Sequence, residues 1–231
     1  MARSNETSAP GSVASAPRWR RRAADRPQEI LDAALTVFVT KGFAATKLDD
    51  VAAAAGISKG LLYRYFDNKA ELFKEVVRQT LVTTIRDVGN RTQASESASA
   101  ALDIFLEQIV AVASDERRSA IPKLVISESG NFPELAVFYL AEVIGPGLKQ
   151  LTGVVRRGVE SGEFRQVDPD LAARSIISPL VMMAIWRHTF ARHDSRRFDP
   201  AAQVRQHRDI LLHGLMAPAP GAAKRRKRRS S

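Results

Sequence analysis

Lys59, Tyr63, Arg64 and Tyr65 crowd into the short stretch GISKGLLYRYF, residues 56–66. Their chemistry is recognition: ammonium and guanidinium groups pair with phosphate, and a phenol donates a hydrogen bond to a phosphate oxygen. The usual reactive constellations are missing. There is no cysteine, which excludes disulfides, thiolate metal sites and cysteine nucleophiles and suits a reducing, cytoplasmic setting. The histidines at 188, 193, 207 and 213 form no i, i+4 pair and have no carboxylate set at metal spacing. No serine sits in a nucleophile elbow, and no glycine-rich loop carries a P-loop lysine. Glu128 and Glu134 read as a polar face and a helix cap rather than paired acids. The expectation is a protein that is not an enzyme and holds neither metal nor cofactor.

A helix starting at Ser58 would place Leu62 and Phe66 on one face, at i and i+4, with Ile57 joining them from the preceding turn. That face is core. Tyr63 is turned about 100° from Leu62, and neither Tyr63 nor Tyr65 can share the centre-line of the apolar face. The two rings either point outward or pack partly against the next helix, and Lys59 and Arg64 are either a contact surface or a solvated flank. The tight turn at Gly56 and a short preceding helix match helix-turn-helix geometry, whose second helix enters a major groove about 12 Å wide. Helix starts at Thr46, Ser58 and Asn68 would offer unpaired N–H groups to anions, with Lys47, Lys59 and Lys69 beside them. Residues 27–69 carry five Lys or Arg against five Asp or Glu, so Asp49 and Asp50 must face away from phosphate.

These residues sit in a chain whose pattern is helical throughout. Ile30, Ala33, Ala34, Val37 and Phe38 form the stripe of a helix beginning near Pro27, and Gly42 is placed to end it. Thr46 with Asp49 resembles a capping box for the second helix, and Asn68 with Glu71 caps a fourth, bearing Phe73, Val77, Leu81, Ile85 and Val88 up to Gly89. Further stripes follow at 102–112, 121–125 and 135–139, with Asn131 and Glu134 read as a cap. Gly145, Pro146 and Gly147 predict a break before an eighth helix. Asp168 with Pro169 and Asp199 with Pro200 are cap-plus-first-residue pairs. The fold class is therefore all-α: an N-terminal three-helix helix-turn-helix domain joined through a long helix to a larger helical bundle.

The net charge of +10 lies at the ends. Residues 1–26 contribute +4, residues 217–231 contribute +6, and residues 27–216 are neutral. DNA binding by the folded part must rest on arrangement. The apolar runs are too short for the ~20 residues of a membrane span, so no membrane partner is expected. Residues 1–23 read as a disordered basic tail, and the polar, aperiodic composition extends that expectation to residue 26. Residues 217–231, with KRRKRR at 224–229, form a second basic tail. Each is either a non-specific DNA contact or a solvated end, and KRRKRR also has the composition of a nuclear-import patch.

ILDAALTVFVTKGFAATKLDDVAAAAGISKGLLYRYFDNKAELF carries a specific pattern: the first-helix stripe, KGF, a threonine before the second helix, VA..AGIS, LYRYF and K..L, in order. Residues 24–84 resemble the DNA-binding domain of the TetR family of bacterial transcription regulators. The resemblance implies a phosphate contact by Thr46 and base-reading positions at Lys59, Gly60 and Leu61. It implies phosphate or groove contacts by Tyr63 and Tyr65, and a phosphate contact by Lys69 where the fourth helix opens. Lys47, Ser58 and Arg64 complete the expected DNA-binding set. Leu61 is apolar where many relatives carry a small residue, which favours a thymine methyl over a hydrogen-bonded base edge.

The resemblance also implies that residues 85–216 form a ligand-binding and dimerisation bundle. Ile176–Trp186 is apolar nearly all round, as in a helix buried on two faces. Met182, Met183 and Trp186 could line a pocket opposite Leu81, Ile85, Phe105 and Ile109, or be core or dimer contacts. The expected function is a homodimeric, ligand-responsive repressor that binds a (pseudo)palindromic double-stranded DNA operator and a small-molecule effector. The alternative is a helical carrier of apolar molecules without DNA binding.

Overall fold

The computed structural model describes residues 18–195 and 197–216. Among them there are eleven α-helices and no strand beyond one antiparallel bridge between Phe164 and Met216. α1 (Arg18–Lys41) begins well before Pro27, which lies inside it. Arg and Ala dominate its start and favour the helix enough to tolerate the N–H that proline lacks. Residues 18–26 are thus helical where the sequence predicts disorder; residues 1–17 and the 217–231 tail lie outside the described residues.

α2 (Leu48–Ala54) and α3 (Lys59–Tyr63) follow, separated by a turn in which Gly56 takes φ +64°, a conformation that favours glycine. α3 is shorter than the expected 58–66. The N–H groups of Tyr65 and Phe66 both reach the Leu62 carbonyl, at 3.0 and 3.1 Å, and this shared acceptor closes the helix. Ser58 caps α3 through its hydroxyl, which accepts from Leu61 N at 3.2 Å. Asn68 likewise caps α4 (Lys69–Val77) by accepting from Glu71 N at 3.0 Å.

α4 runs without a break through a π-helical segment, Arg78–Val82, into α5 (Thr83–Gln93). Gly89 does not end this rod. It is the point where the Gln150 side chain lies against α5, and a Cβ there would sit 2.6 Å from Gln150 Nε2. α6 (Ala98–Ser114), α7 (Glu116–Glu128) and α8 (Pro133–Tyr139) come next. Phe132, not Asn131, precedes α8, because Pro133 has the fixed φ suited to the first helical position.

The predicted break at Gly145–Gly147 is also absent. A second π-helical segment, Leu140–Ile144, leads directly into α9 (Gly145–Glu160), with Pro146 in its first turn. The wider π turn accommodates the N–H that proline cannot supply. α10 (Pro169–Thr189) and α11 (Pro200–Leu215) start at the expected caps: Asp168 accepts from Asp170 N and Leu171 N, and Asp199 accepts from Ala202 N, each at 2.9 Å.

The first of two apolar cores joins α1–α4 to α7 and α8 through Ile30, Phe38, Leu62, Phe73, Ile121 and Leu135. Phe43 is its hinge: its ring centroid lies 5.7 Å from Phe38, 5.5 Å from Phe73 and 4.8 Å from Phe132. Edge-on and offset ring contacts of this kind stabilise by roughly 0.5–1.5 kcal/mol each beyond burial. The second core gathers α5, α6, α9, α10 and α11 around Leu102, Leu106, Leu151, Phe164 and Ile176. No helix among the described residues is long and apolar enough to cross a membrane.

Candidate nucleic-acid interface and interior cavity

α3 and the residues flanking it divide their side chains between core and surface. Leu62 is fully buried and Phe66 nearly so, while Tyr63 and Tyr65 are 46% and 45% exposed. Ser58, Lys59, Gly60 and Arg64 are exposed beside them, and Leu61 is half-buried at the edge. A Cβ on Gly60 would meet nothing within 4 Å, so the backbone there is open to a close-approaching partner. Burial of Leu62 and Phe66 fixes the helix, at roughly 1.5–3 kcal/mol per side chain, and leaves the phenols and cations turned out.

Lys59 is not alone on that flank. Its ammonium lies 2.8 Å from the Asp49 carboxylate, whose hydrogen bond and charge hold the lysine pKa above its ordinary value. Asp49 therefore stands on the side that the sequence reading needed clear of carboxylates. The pair is more than half exposed on both partners, so water screens it and it holds Lys59 only weakly. Asp50 is tied elsewhere, to Lys41 at 2.8 Å and to the Lys47 N–H at 3.0 Å. The Lys41 contact, then the Lys47 N–H, hold its carboxyl below the usual range.

Two of the expected contact residues are engaged within the protein. Thr46 is only 2% exposed, and its hydroxyl donates to the Gly42 carbonyl at 2.7 Å. The residue preceding α2 is Lys47, exposed at the helix start, and Thr46 instead satisfies a carbonyl left over at the end of α1. Lys69 turns inward. Its ammonium donates to the carbonyls of Phe43 and Ala44, at 2.7 and 3.0 Å, and lies 4.6 Å from the Phe43 ring centroid. Burial lowers its pKa, against the opposing pull of Glu128. It staples the start of α4 to the turn between α1 and α2.

That turn also receives α7. Glu128 Oε1 accepts from Ala44 N at 3.3 Å, so the second bundle touches the helix-turn-helix unit at the residues Lys69 holds. A second link joins the two π-helical segments: Arg78 donates twice to the Glu142 carboxylate, both at 2.9 Å, from above the Phe138 ring. Arg78 holds the Glu142 carboxyl below its ordinary pKa.

Between α5, α6, α7, α8, α9 and α10 lies a cavity of about 400 Å³. Leu81, Ile85, Phe105 and Ile109 line it as expected, whereas Met182, Met183 and Trp186 do not. The stripe of α10 that faces it is Ile177, Leu180, Val181 and Ala184. Met182 and Trp186 lie on other faces and line a separate depression of about 460 Å³ with Met183, Phe198 and His207. Sequence reading missed Tyr139 and Gln150, both of which line the cavity. Ser119, also in the lining, is 2.8 Å from His188 Nε2, and burial first, then Arg187, hold that imidazole below its usual pKa.

A helix-turn-helix unit carried on a helical bundle with an interior cavity defines a DNA-binding regulator with a ligand-binding domain. The sequence matches "Bacterial regulatory proteins, tetR family" over residues 30–76 and "Tetracyclin repressor-like, C-terminal domain" over residues 93–198. It is 28% identical over 204 residues to the HTH-type transcriptional repressor KstR2 of Rhodococcus jostii, covering 84% of this chain and 92% of that protein. It is 26% identical over 192 residues to the fatty acid metabolism regulator protein of Bacillus subtilis, covering 81% and 94%. Among solved structures, the fold matches Bacillus subtilis FadR in complex with stearoyl-CoA, with TM-score 0.70, 22% identity and coverage of 81% and 98%. It also matches the regulator PfmR of Thermus thermophilus, with TM-score 0.65, 28% identity and coverage of 80% and 97%. The chain belongs to the TetR family.

Proposed function

We propose that the protein is a cytoplasmic, homodimeric repressor that places α3 of each subunit in successive major grooves of a pseudo-palindromic operator, about 34–36 Å apart. The observation that carries this reading is the exposure of Lys59, Gly60 and Tyr63 on a helix anchored by buried Leu62, and of Arg64 and Tyr65 directly after it. Tyr63, Tyr65, Arg64, Ser58 and Lys47 contact phosphates; Lys59, Gly60 and Leu61 face base edges. Lys59 exchanges Asp49 for DNA, which the weakness of an exposed ion pair permits.

Dimerisation uses α10 and α11, where Leu171, Met182, Trp186 and Ile210 are exposed apolar side chains. The effector occupies the 400 Å³ cavity. The names of the relatives, concerned with fatty acid metabolism and a bound stearoyl-CoA, support a lipid-derived effector. Two helices carry the signal outward. α7 presents Ser119, Pro122 and Val125 to the cavity and Glu128 to Ala44, and the rod from α4 to α5 presents Leu81 and Ile85. A coupling of ~1–3 kcal/mol between the sites changes operator affinity about 5- to 150-fold.

Fluorescence anisotropy with duplex DNA flanking the protein's own gene tests the reading. Binding should weaken linearly in log affinity as log salt rises. Tyr63→Ala should weaken binding to every duplex, and Gly60→Ser should change which duplex is preferred. Affinity for apolar molecules with no duplex binding at any salt concentration would make the protein a carrier instead.

A further inference from the structure

We infer that the interior cavity takes a molecule with an apolar body and one negative charge, the charge lying at the end walled by Thr84, Ala113 and Ser119, with Arg118 behind that wall as the countercharge. This deepens, and rests on, the reading of that cavity as the effector site. Among the described residues lining it there is no Lys, Arg, His, Asp or Glu, so its electrostatics are set by what stands behind the lining. There the two signs are unequal. Arg118 Nη2 donates to the Thr84 hydroxyl at 2.6 Å, Arg187 donates to the Ala113 carbonyl, and His188 Nε2 lies 2.8 Å from the Ser119 hydroxyl. Among the described residues no carboxylate hydrogen-bonds to any residue of the lining.

Arg118 is the cation that matters most. It is half-buried, yet its guanidinium pairs with no carboxylate among the described residues: Nη2 is shared between the Thr84 hydroxyl and the Thr80 carbonyl, the latter at 2.9 Å, and Nε is buried with no partner. Its neighbour Asp115 is spent on the start of α7, where it accepts from Arg117 N and Arg118 N at 3.0 and 3.1 Å. A guanidinium keeps its proton, and a charge withdrawn from water is ordinarily compensated, so this one lacks an anion. Because the protein seals Nε, the charge acts through Thr84 and not through that N–H. A ligand oxygen bonded to the Thr84 hydroxyl would lie no more than about 5.4 Å from Nη2, within the range at which an opposite charge favours the ionised form. The hydroxyl can turn without leaving a carbonyl unpaired: its present acceptor, the Thr80 carbonyl at 3.1 Å, keeps Arg118 as a donor. His188 is neutral near neutral pH, since burial and then Arg187 hold its pKa down against the pull of Glu116. The positive charge behind the wall therefore comes from the two arginines. The apolar body is set by the other direction. Ile126, seven residues and about 10 Å further along α7 than Ser119, is exposed and lines the cavity, as does Ile144, and the two mark the mouth. Between them and Thr84 the lining is mainly apolar, through Leu81, Ile85 and Val125.

The test uses the full chain at a pH of about 7.5, where a carboxylic acid is ionised, and displacement of the neutral fluorophore N-phenyl-α-naphthylamine by three probes with the same alkyl body: decanoate, decanol and decyltrimethylammonium. Decanoate is expected to displace at a concentration at least about tenfold below the ammonium, and no higher than decanol despite the cost of dehydrating its carboxylate. Arg118→Gln, folded as judged by circular dichroism, should weaken decanoate about tenfold or more and decanol less than about threefold, whereas Arg118→Lys, which keeps the charge, should retain most of the preference. A purely structural Arg118 would instead weaken both probes alike. Equal or better displacement by the ammonium, weaker displacement by decanoate than by decanol, or unchanged decanoate affinity in Arg118→Gln would overturn the inference, and the comparison of the three probes on the wild-type chain decides it even where a variant does not fold. Duplex binding is measured on the same samples. Lost preference for the acid with duplex binding intact rejects only this inference; preference for the acid without duplex binding rejects the regulator reading and leaves the cavity chemistry standing.

Discussion

Replacing Lys69 by methionine separates two roles that a lysine at the start of α4 can play. The ammonium donates to the Phe43 and Ala44 carbonyls at 2.7 and 3.0 Å and sits over the Phe43 ring. Methionine keeps an unbranched apolar stem against Phe43 and removes both donors. The Phe43 carbonyl is the partly buried one of the pair, and an unsatisfied buried acceptor costs roughly 1–3 kcal/mol. The Ala44 carbonyl is exposed and water replaces its donor at little cost. The expected loss is therefore about 1–3 kcal/mol. For a protein of this size each kcal/mol lowers Tm by roughly 2–4 °C, which calorimetry resolves. The slope of log duplex affinity against log salt should stay at the wild-type value, because an inward-facing ammonium displaces no counterion. A phosphate contact would do the reverse, lowering the slope by about 0.9 with stability unchanged. That second pattern would refute the stapling role.

Other substitutions probe other links. Asp49→Asn should raise affinity for all duplexes by no more than a few-fold in anisotropy titrations at low salt, by releasing Lys59 from a weak, exposed pair; a loss of affinity would mean that the carboxylate itself reads a base. Gly158→Ala should destabilise α9 by roughly 1–3 kcal/mol in urea unfolding, because a Cβ would lie 2.3 Å from the buried Phe164 ring. That outweighs the gain of up to about 1 kcal/mol in helix propensity, and a stabilised variant would contradict the packing described. Glu163 accepts from Ala98 N and Ser99 N at 2.7 and 2.9 Å at the start of α6. Burial alone would raise its pKa, but Ser99, Ala98 and Arg157 outweigh it, and the folded value lies below 4.5. Its stabilisation is thus fully present above pH 4.5 and disappears as pH falls through the lower folded value. Glu163→Gln should lower Tm at pH 7 and lessen the acid-side fall, and parallel pH profiles for the two proteins would rule this out.

The two-faced character of α3 was legible in the sequence because the roughly 100° rotation between Leu62 and Tyr63 forces them apart on any helix. The caps at Ser58, Asn68, Asp168 and Asp199 were legible for a similar reason, since each acts within three residues of itself. Lys69 was not. Nothing in spacing reveals a side chain that reaches the Phe43 carbonyl, which is distant in sequence. Thr46 was misread because a hydroxyl near a helix start suits the cap, whereas here the end of α1 needs it more. On α10, apolar residues surround the whole helix, so periodicity could not tell the cavity stripe from the face bearing Met182 and Trp186. Gln150 and Gly89 acquire meaning only as a pair brought together by the packing of α9 on α5.

The claim beneath all of this is that two copies of α3 read DNA side by side, and footprinting of the protein on the DNA flanking its gene tests it most directly. The account predicts two protected half-sites on one face of the duplex, about one helical turn or a multiple of it apart. Protection should be lost when Tyr63 and Tyr65 are both changed to alanine in a folded protein. Uniform protection without half-sites, or a footprint that survives the loss of both phenols, would contradict it.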